Sequence, residues 1–104
     1  MKVIASSTLQ NIIRNISDFE DEMVLFVGKE VTWSPLSKSH VYSFEGEEQI
    51  PVAVDDFLYF LEVYLVKEVI DVWKSWTADK QHGLAELIEA VIFYAENDSY
   101  KPYQ

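Results

Sequence analysis

The sequence predicts an α+β domain with an N-terminal helix, a small three- to four-stranded, mainly antiparallel sheet and two C-terminal helices. Two observations carry this prediction. Apolar residues recur with helical spacing near the start of the chain and in its last third, and short β-prone runs lie between them. The 104 residues suit a single domain over 1–104, and 49% of them are hydrophobic, which is ordinary for a globular core.

The N-terminal helix is predicted from the spacing of its apolar residues. Four of them fall at i, i+3, i+4 and i+7, which is one face of an α-helix: Leu9, Ile12, Ile13 and Ile16. Ser7 is followed three residues later by Gln10, which is the spacing of a capping box. Ser7 is therefore the predicted N-cap.

Three runs in the middle of the chain predict strands. Residues 23–27 are apolar on both faces, so this strand is expected at the centre of the sheet. Residues 40–44 place His40, Tyr42 and Phe44 on one face and Val41 on the other, and residues 57–61 are aromatic-rich, as in a buried strand. The β-prone segment 31–33 is expected to pair with the first strand.

Two helices are predicted after residue 62, the second of them starting near Gly83. The apolar stripe of the first contains Leu65, Val69, Val72, Trp73 and Trp76. The inward stripe of the second contains Leu84, Leu87, Ile88, Val91 and Ala95. Phe93 lies four residues after Glu89 and seven after Glu86, so these three side chains are expected on the outer side of the last helix.

The charge balance bears most directly on function. Eighteen Asp and Glu against eight Lys and Arg give a formal net charge of -10. Phosphate backbones repel such a surface, so nucleic-acid binding is not expected. The acidity has two interpretations, plain solubility or electrostatic attraction of a basic partner.

Several kinds of chemistry lack their sequence motifs. The chain has no cysteine, and its three glycines do not form a phosphate-binding loop. Residues 18–22 resemble the start of a calcium loop, but loop positions 6 and 12 hold Met23 and Lys29 instead of glycine and glutamate. His40 and His82 lack neighbouring ligands at metal-site spacing. The sequence therefore predicts no cofactor, no metal and no catalytic activity.

The chain is expected to be a soluble cytoplasmic protein, either a monomer or a weak homodimer. Its start has too few apolar residues for a secretory signal, and charged residues interrupt the apolar stretch 57–76, which argues against a membrane span.

A partner-binding surface is predicted from two acidic loops, a tryptophan and the outer side of the last helix. The loops adjoin predicted strand ends and are expected at one edge of the sheet together with Trp33. The candidate residues are Asp18, Glu20, Asp21, Glu22, Trp33, Glu45, Glu47, Glu48, Glu86, Glu89 and Phe93. The expected mechanism is steering by carboxylates and anchoring by aromatic rings.

Some stretches resemble an uncharacterised family of short bacterial proteins. They are residues 1–4 leading into the first helix, 19–21 before 25–27, Trp33, Ile50-Pro51, and Glu89-Ala90 with residues 94–98. This resemblance implies a small α+β domain and no particular activity. In size and charge the chain also resembles the immunity proteins of contact-dependent inhibition and colicin systems, which bind basic toxin domains.

Two functional hypotheses follow. The first is an immunity protein that neutralises a basic toxin domain, such as a nuclease, by covering it with an acidic surface. The second is an accessory protein-interaction domain, also non-catalytic, whose acidity serves solvation. A toxin gene directly upstream would separate the first hypothesis from the second.

Overall fold

The computed structural model describes residues 1–30, 32–46, 48–76 and 83–98. Its elements are β1 (Lys2–Thr8), α1 (Leu9–Arg14), a 3-10 turn (Ile16–Asp18), β2 (Val24–Gly28), β3 (Lys38–Ser43), β4 (Ala53–Val54), β5 (Phe57–Glu62), α2 (Val63–Trp76) and α3 (Leu84–Asn97). The strands form one antiparallel sheet in the order β1-β3-β2-β5-β4. The α+β class is confirmed, but the described part of the sheet has five strands instead of three or four.

The central position predicted for residues 23–27 is confirmed by β2. Its residues Val24, Leu25, Phe26 and Val27 are fully buried, because β3 and β5 flank the strand and both of its faces are covered. Leu25 and Val27 belong to the main core, which the sheet forms with the helices. Val24 and Phe26 belong to a smaller core on the opposite face.

The strands predicted at residues 40–44 and 57–61 are confirmed as β3 and β5. Val41 enters the main core, whereas Tyr42 packs edge-on against Phe26 in the smaller core, with ring centroids 5.2 Å apart. The expected division of β3 into an aromatic face and a valine face is therefore correct.

The start of the chain differs from the prediction because β1 precedes the first helix. Thr8, the last residue of this strand, is the N-cap of α1, and its Oγ1 accepts the backbone N–H of Asn11 at 3.3 Å. Ser7 still lies within the strand, so the prediction that it caps the helix is wrong. The two-residue strand β4 was also not predicted.

The segment at residues 31–33 does not extend the sheet as expected. Thr32 and Trp33 lie outside the strands, and Val31 lies outside the described residues. The two edges of β2 are occupied by β3 and β5, which leaves no edge for a further strand. Trp33 packs against Phe60 instead, with ring centroids 5.1 Å apart, so this prediction is wrong.

The orientation of α2 also differs from the prediction. The helix follows β5 without a loop and buries Val63, Val66, Val69 and Trp73, whereas Trp76 is 42% exposed. Because Val63 is buried and its N–H donates to the carbonyl of Met23 at 2.8 Å, the inward stripe starts two residues earlier than expected. Only Val69 and Trp73 of the predicted stripe are fully in the core.

α3 begins after Gly83, as predicted, and buries Ile88, Ala90, Val91 and Ile92. The flanking positions Leu84, Leu87 and Ala95 of the predicted stripe are only half-buried. None of the described helices has both the length and the apolar character needed to cross a membrane.

Candidate functional site

The two acidic loops lie at the same end of the sheet. The first loop (18–22) precedes β2, and the second (45–48) follows β3. Val24, at the start of β2, pairs with Tyr42 near the end of β3 and with Glu62 at the end of β5. Antiparallel pairing places the start of one strand beside the end of its neighbour. The loops therefore lie at the same end of the sheet although more than twenty residues separate them in the sequence.

We call this region the acidic end and define it by Asp21, Glu22, Glu45, Glu48 and Glu62. The first four are exposed and Glu62 is half-buried. Asp18 and Glu20, two further predicted residues, are exposed on the first loop, and Glu47 lies outside the described residues.

An open recess of about 520 Å³ lies at the acidic end. Its lining consists of Asp21, Glu22, Ile50, Glu62 and Tyr64. Ile50 is 40% exposed and Tyr64 48% exposed, so apolar area is accessible among the carboxylates. A hydrogen bond to Glu62 and the charge of that carboxylate raise the pKa of the Tyr64 hydroxyl.

Two ion pairs hold the acidic loops in place. The Lys67 ammonium lies 2.7 Å from Oδ1 of Asp21 and donates to the carbonyl oxygen of Phe19 at 2.9 Å, which ties the first loop to α2. The N-terminal ammonium of Met1 lies 2.6 Å from Oε2 of Glu48. The hydrogen bond from this ammonium, followed by the one from the backbone of Glu45, lowers the pKa of Glu48.

Other carboxylates at the acidic end lie outside the two ion pairs found among the described residues. Within the described ranges, Glu22 and Glu45 form no ion pair. Their negative charge is therefore directed to solvent, where it is available to a positively charged partner.

Trp33 does not lie with the acidic loops, and that part of the prediction is wrong. Its indole N–H donates to the carbonyl oxygen of Gly28 at 3.3 Å, at the far end of β2. Val24 and Gly28 are separated by the length of the strand, about 13 Å. The loop after β2 turns back under the sheet, where the ring of Trp33 packs on Phe60.

The structure instead brings Trp33 to the outer side of α3. A groove of about 320 Å³, here called the Trp33–Phe93 groove, is lined by Trp33, Ser34, Pro35, Glu89, Ile92, Phe93 and Glu96. Phe93 is half-buried, not fully exposed as its helical position suggested, and residues 33–35 form the opposite wall. Glu89 is exposed at the groove, and Glu86 is exposed one turn earlier on α3.

A basic surface lies between α1, α2 and α3. This groove, of about 380 Å³, includes Arg14, Lys67 and Lys74 together with Asp71 and an apolar floor. Lys67 and Lys74 are seven residues apart, so their common helix face is visible in the sequence. Arg14 joins them only through the packing of α1 on the other helices.

A serine and a histidine are hydrogen-bonded to each other on the sheet. Ser6 Oγ lies 3.0 Å from Nδ1 of His40, its cross-strand neighbour. No carboxylate of the described residues is hydrogen-bonded to this histidine. The described His, Asp and Glu side chains also form no cluster of three or more that could hold a metal ion.

Some residues of these surfaces were not predicted from the sequence. Glu96 is seven residues after Glu89, and this helical spacing would have identified it. Glu62 directly follows the predicted strand 57–61, so antiparallel pairing with β2 would have placed it at the acidic end. The hydrogen bond from the Ser37 hydroxyl to Oε2 of Glu30, in the loop that carries Trp33, had no recognisable signal in the sequence, because the loop conformation brings the two residues together.

The fold and these surfaces define a small, acidic α+β domain whose described part carries carboxylates in several separate recesses. The chain belongs to the family described as DUF7716, a domain of unknown function, whose profile matches residues 5–103. No curated protein and no solved structure matches the chain. The family match agrees with the resemblance to an uncharacterised family, and the family description names no activity.

Proposed function

We propose that this protein is a non-catalytic binding protein, and specifically an immunity protein that neutralises a basic toxin domain such as a nuclease. The observation that carries the proposal is the convergence of the two acidic loops and Glu62 at one end of the sheet. A nuclease binds phosphates with Lys and Arg, and an array of exposed carboxylates is complementary to such a surface.

The mechanism proposed is stoichiometric occlusion. Glu22 and Glu45, which have no ion-pair partner among the described residues, attract the toxin and accelerate its association. Ile50 and Tyr64 in the recess supply apolar area that becomes buried in the complex. Carboxylates on the rim and an apolar or aromatic centre are the usual composition of a protein interface.

The alternative is an accessory protein-interaction domain with an unidentified partner. The carboxylates would then serve mainly solubility, which the net charge of -10 alone would explain. The gene directly upstream distinguishes the two functions, because immunity genes follow the genes of their toxins.

Co-expression with the upstream reading frame tests the proposal. We expect that frame to arrest growth when expressed alone and growth to recover when this protein is co-expressed. The informative variant is Glu22→Lys/Glu45→Lys, which reverses one exposed carboxylate in each loop. Among the described residues, neither side chain makes a hydrogen bond or ion pair that would be lost. We expect it to abolish protection. Asp56→Lys/Asp71→Lys changes the net charge equally at exposed positions away from the acidic end, and it is expected to protect normally.

Binding kinetics give the second measurement. With the purified toxin domain, Glu22→Lys/Glu45→Lys is expected to slow association by about tenfold or more at low salt, and the difference is expected to shrink as salt screens the charges. Equal loss of binding in both double variants would show that only total charge matters and would refute the proposed site. An upstream frame that is harmless to growth would favour the accessory domain.

A further inference from the structure

The Trp33–Phe93 groove has one unusually well-fixed wall. The Ser37 hydroxyl donates to Oε2 of Glu30 at 2.6 Å and accepts the backbone N–H of Ser34 at 2.9 Å. The first two amides of α1 have no partner within the helix. The amide of Leu9 donates to the carbonyl oxygen of Ser37 at 2.8 Å, and that of Gln10 to the carbonyl oxygen of Pro35 at 2.9 Å. The loop that carries Trp33 is thus held before any partner binds, which lowers the entropy cost of binding.

The ring of Trp33 is itself oriented by two contacts. Its N–H donates to the carbonyl of Gly28, and its ring lies edge-on to Phe60 at an interplanar angle of 67°. Phe93 is half-buried on the α3 wall, and Ile92 beneath it is 8% exposed. The groove therefore has an aromatic lining on a rigid support.

The charged side chains that line this groove in the described part of the chain are glutamates. The groove is lined by Glu89 and Glu96, which are about 10 Å apart along α3, with Phe93 between them. The helix contains three glutamates and no lysine or arginine. Next to the loop wall, Leu36 is 69% exposed, so apolar area extends beyond the groove.

We propose that the Trp33–Phe93 groove is the anchor site for an arginine side chain of the basic partner, with an apolar neighbour of that arginine resting on Leu36. The inference rests on the proposed function for the basic character of the partner and adds a second contact area, distant from the acidic end. A planar guanidinium stacks on aromatic rings and binds carboxylates through paired N–H groups. Lysine offers a compact charge without the planar face, so arginine fits this lining better.

The experiment uses a small probe and needs no identified partner. The blocked dipeptide acetyl-Leu-Arg-amide is titrated into the full chain, and the assigned indole N–H signal of Trp33 is followed by heteronuclear NMR. The matched probe carries citrulline, the neutral isostere of arginine. We expect saturable, weak shifts at Trp33 and Phe93 with the arginine probe and affinity lower by about fivefold or more with the citrulline probe.

Two charge-matched variants complete the test. Glu89→Gln/Glu96→Gln removes the carboxylates of the groove at exposed positions and is expected to weaken binding of the arginine probe by about fivefold or more. Asp56→Asn/Asp71→Asn removes the same charge at exposed positions outside both the groove and the acidic end and is expected to leave the affinity unchanged. Absence of shifts at Trp33, equal affinity for the two probes, or equal loss in both variants would overturn the inference. Because no toxin is present, failure here is distinct from failure of co-expression to protect cells.

Discussion

The hydroxyl of Ser37 donates a 2.6 Å hydrogen bond to Oε2 of Glu30, seven residues earlier in the chain. Ser37 is only 2% exposed, so this bond lies where water does not replace it easily. The same oxygen accepts the amide of Ser34. The Ser37 side chain therefore closes the loop that positions Trp33 opposite α3, and the shape of the groove depends on this closure.

Replacement of Ser37 by alanine is expected to destabilise the protein. The change leaves the Ser34 amide without its acceptor and Glu30 without its donor, at a cost of about 1–3 kcal/mol in the free energy of unfolding. Urea denaturation measures the loss. Ser17→Ala removes an exposed hydroxyl and is expected to change stability by about 0.5 kcal/mol or less. Equal stability of the two variants would contradict the role assigned to Ser37.

Lys67→Met is expected to loosen the first acidic loop. The ammonium bonds both the Phe19 carbonyl and Asp21, but Asp21 is exposed and water screens that pair. We therefore expect a modest loss of about 0.5–1.5 kcal/mol and faster amide hydrogen exchange at residues 19–23.

Lys74→Met is the matched control on the same helix, because the Lys74 side chain has no ion-pair partner in the described part of the chain. Exchange at residues 19–23 is expected to stay unchanged in this variant. Similar exchange rates in both variants would show that Lys67 does not order the loop.

The contact between Met1 and Glu48 predicts a pH dependence. The pKa of Glu48 is lower in the folded protein than its ordinary value of 4.5, chiefly because of the N-terminal ammonium. Because the pKa is lowered, the contact stabilises the fold fully when the pH is above the ordinary pKa of the carboxyl. Its contribution is lost as the pH falls through the lowered pKa.

An NMR titration of the Glu48 carboxyl measures this effect. Acetylation of the N-terminus removes the ammonium charge, and the pKa of Glu48 is then expected to rise toward its ordinary value. If the titration midpoint is the same before and after acetylation, the contact does not persist in solution.

Phe93→Ala and Phe60→Ala are expected to lower the free energy of unfolding by different amounts. Phe60 is 2% exposed in the main core, so its removal is expected to destabilise the protein by about 3–5 kcal/mol. Phe93 is half-buried, and a loss of about 1–2 kcal/mol is expected from the smaller apolar area it covers. Thermal or urea denaturation of both variants measures the two losses of stability. A loss at Phe93 as large as that at Phe60 would place its ring in the core and exclude it as a contact residue.

The positions of single elements followed from local side-chain patterns. Residues 9–14 form a helix because their apolar residues repeat with the period of α-helical backbone, and β2 is central because residues 24–27 are apolar on both faces. The placement of both acidic loops at one end of the sheet was also expected, since each loop adjoins a strand end and antiparallel pairing is a simple rule.

Only the tertiary structure decided which surfaces those elements form. β1 has a largely exposed, irregular pattern, and it is a strand because its backbone pairs with β3, thirty or more residues away. Trp33 lies at the outer side of α3 and not beside the acidic loops. Because β5 occupies the second edge of β2, the segment with Trp33 does not pair with that strand. The sequence alone determined composition, charge and local periodicity. Backbone hydrogen bonds and loop closures join residues distant in the chain, and they have no local pattern from which they can be predicted.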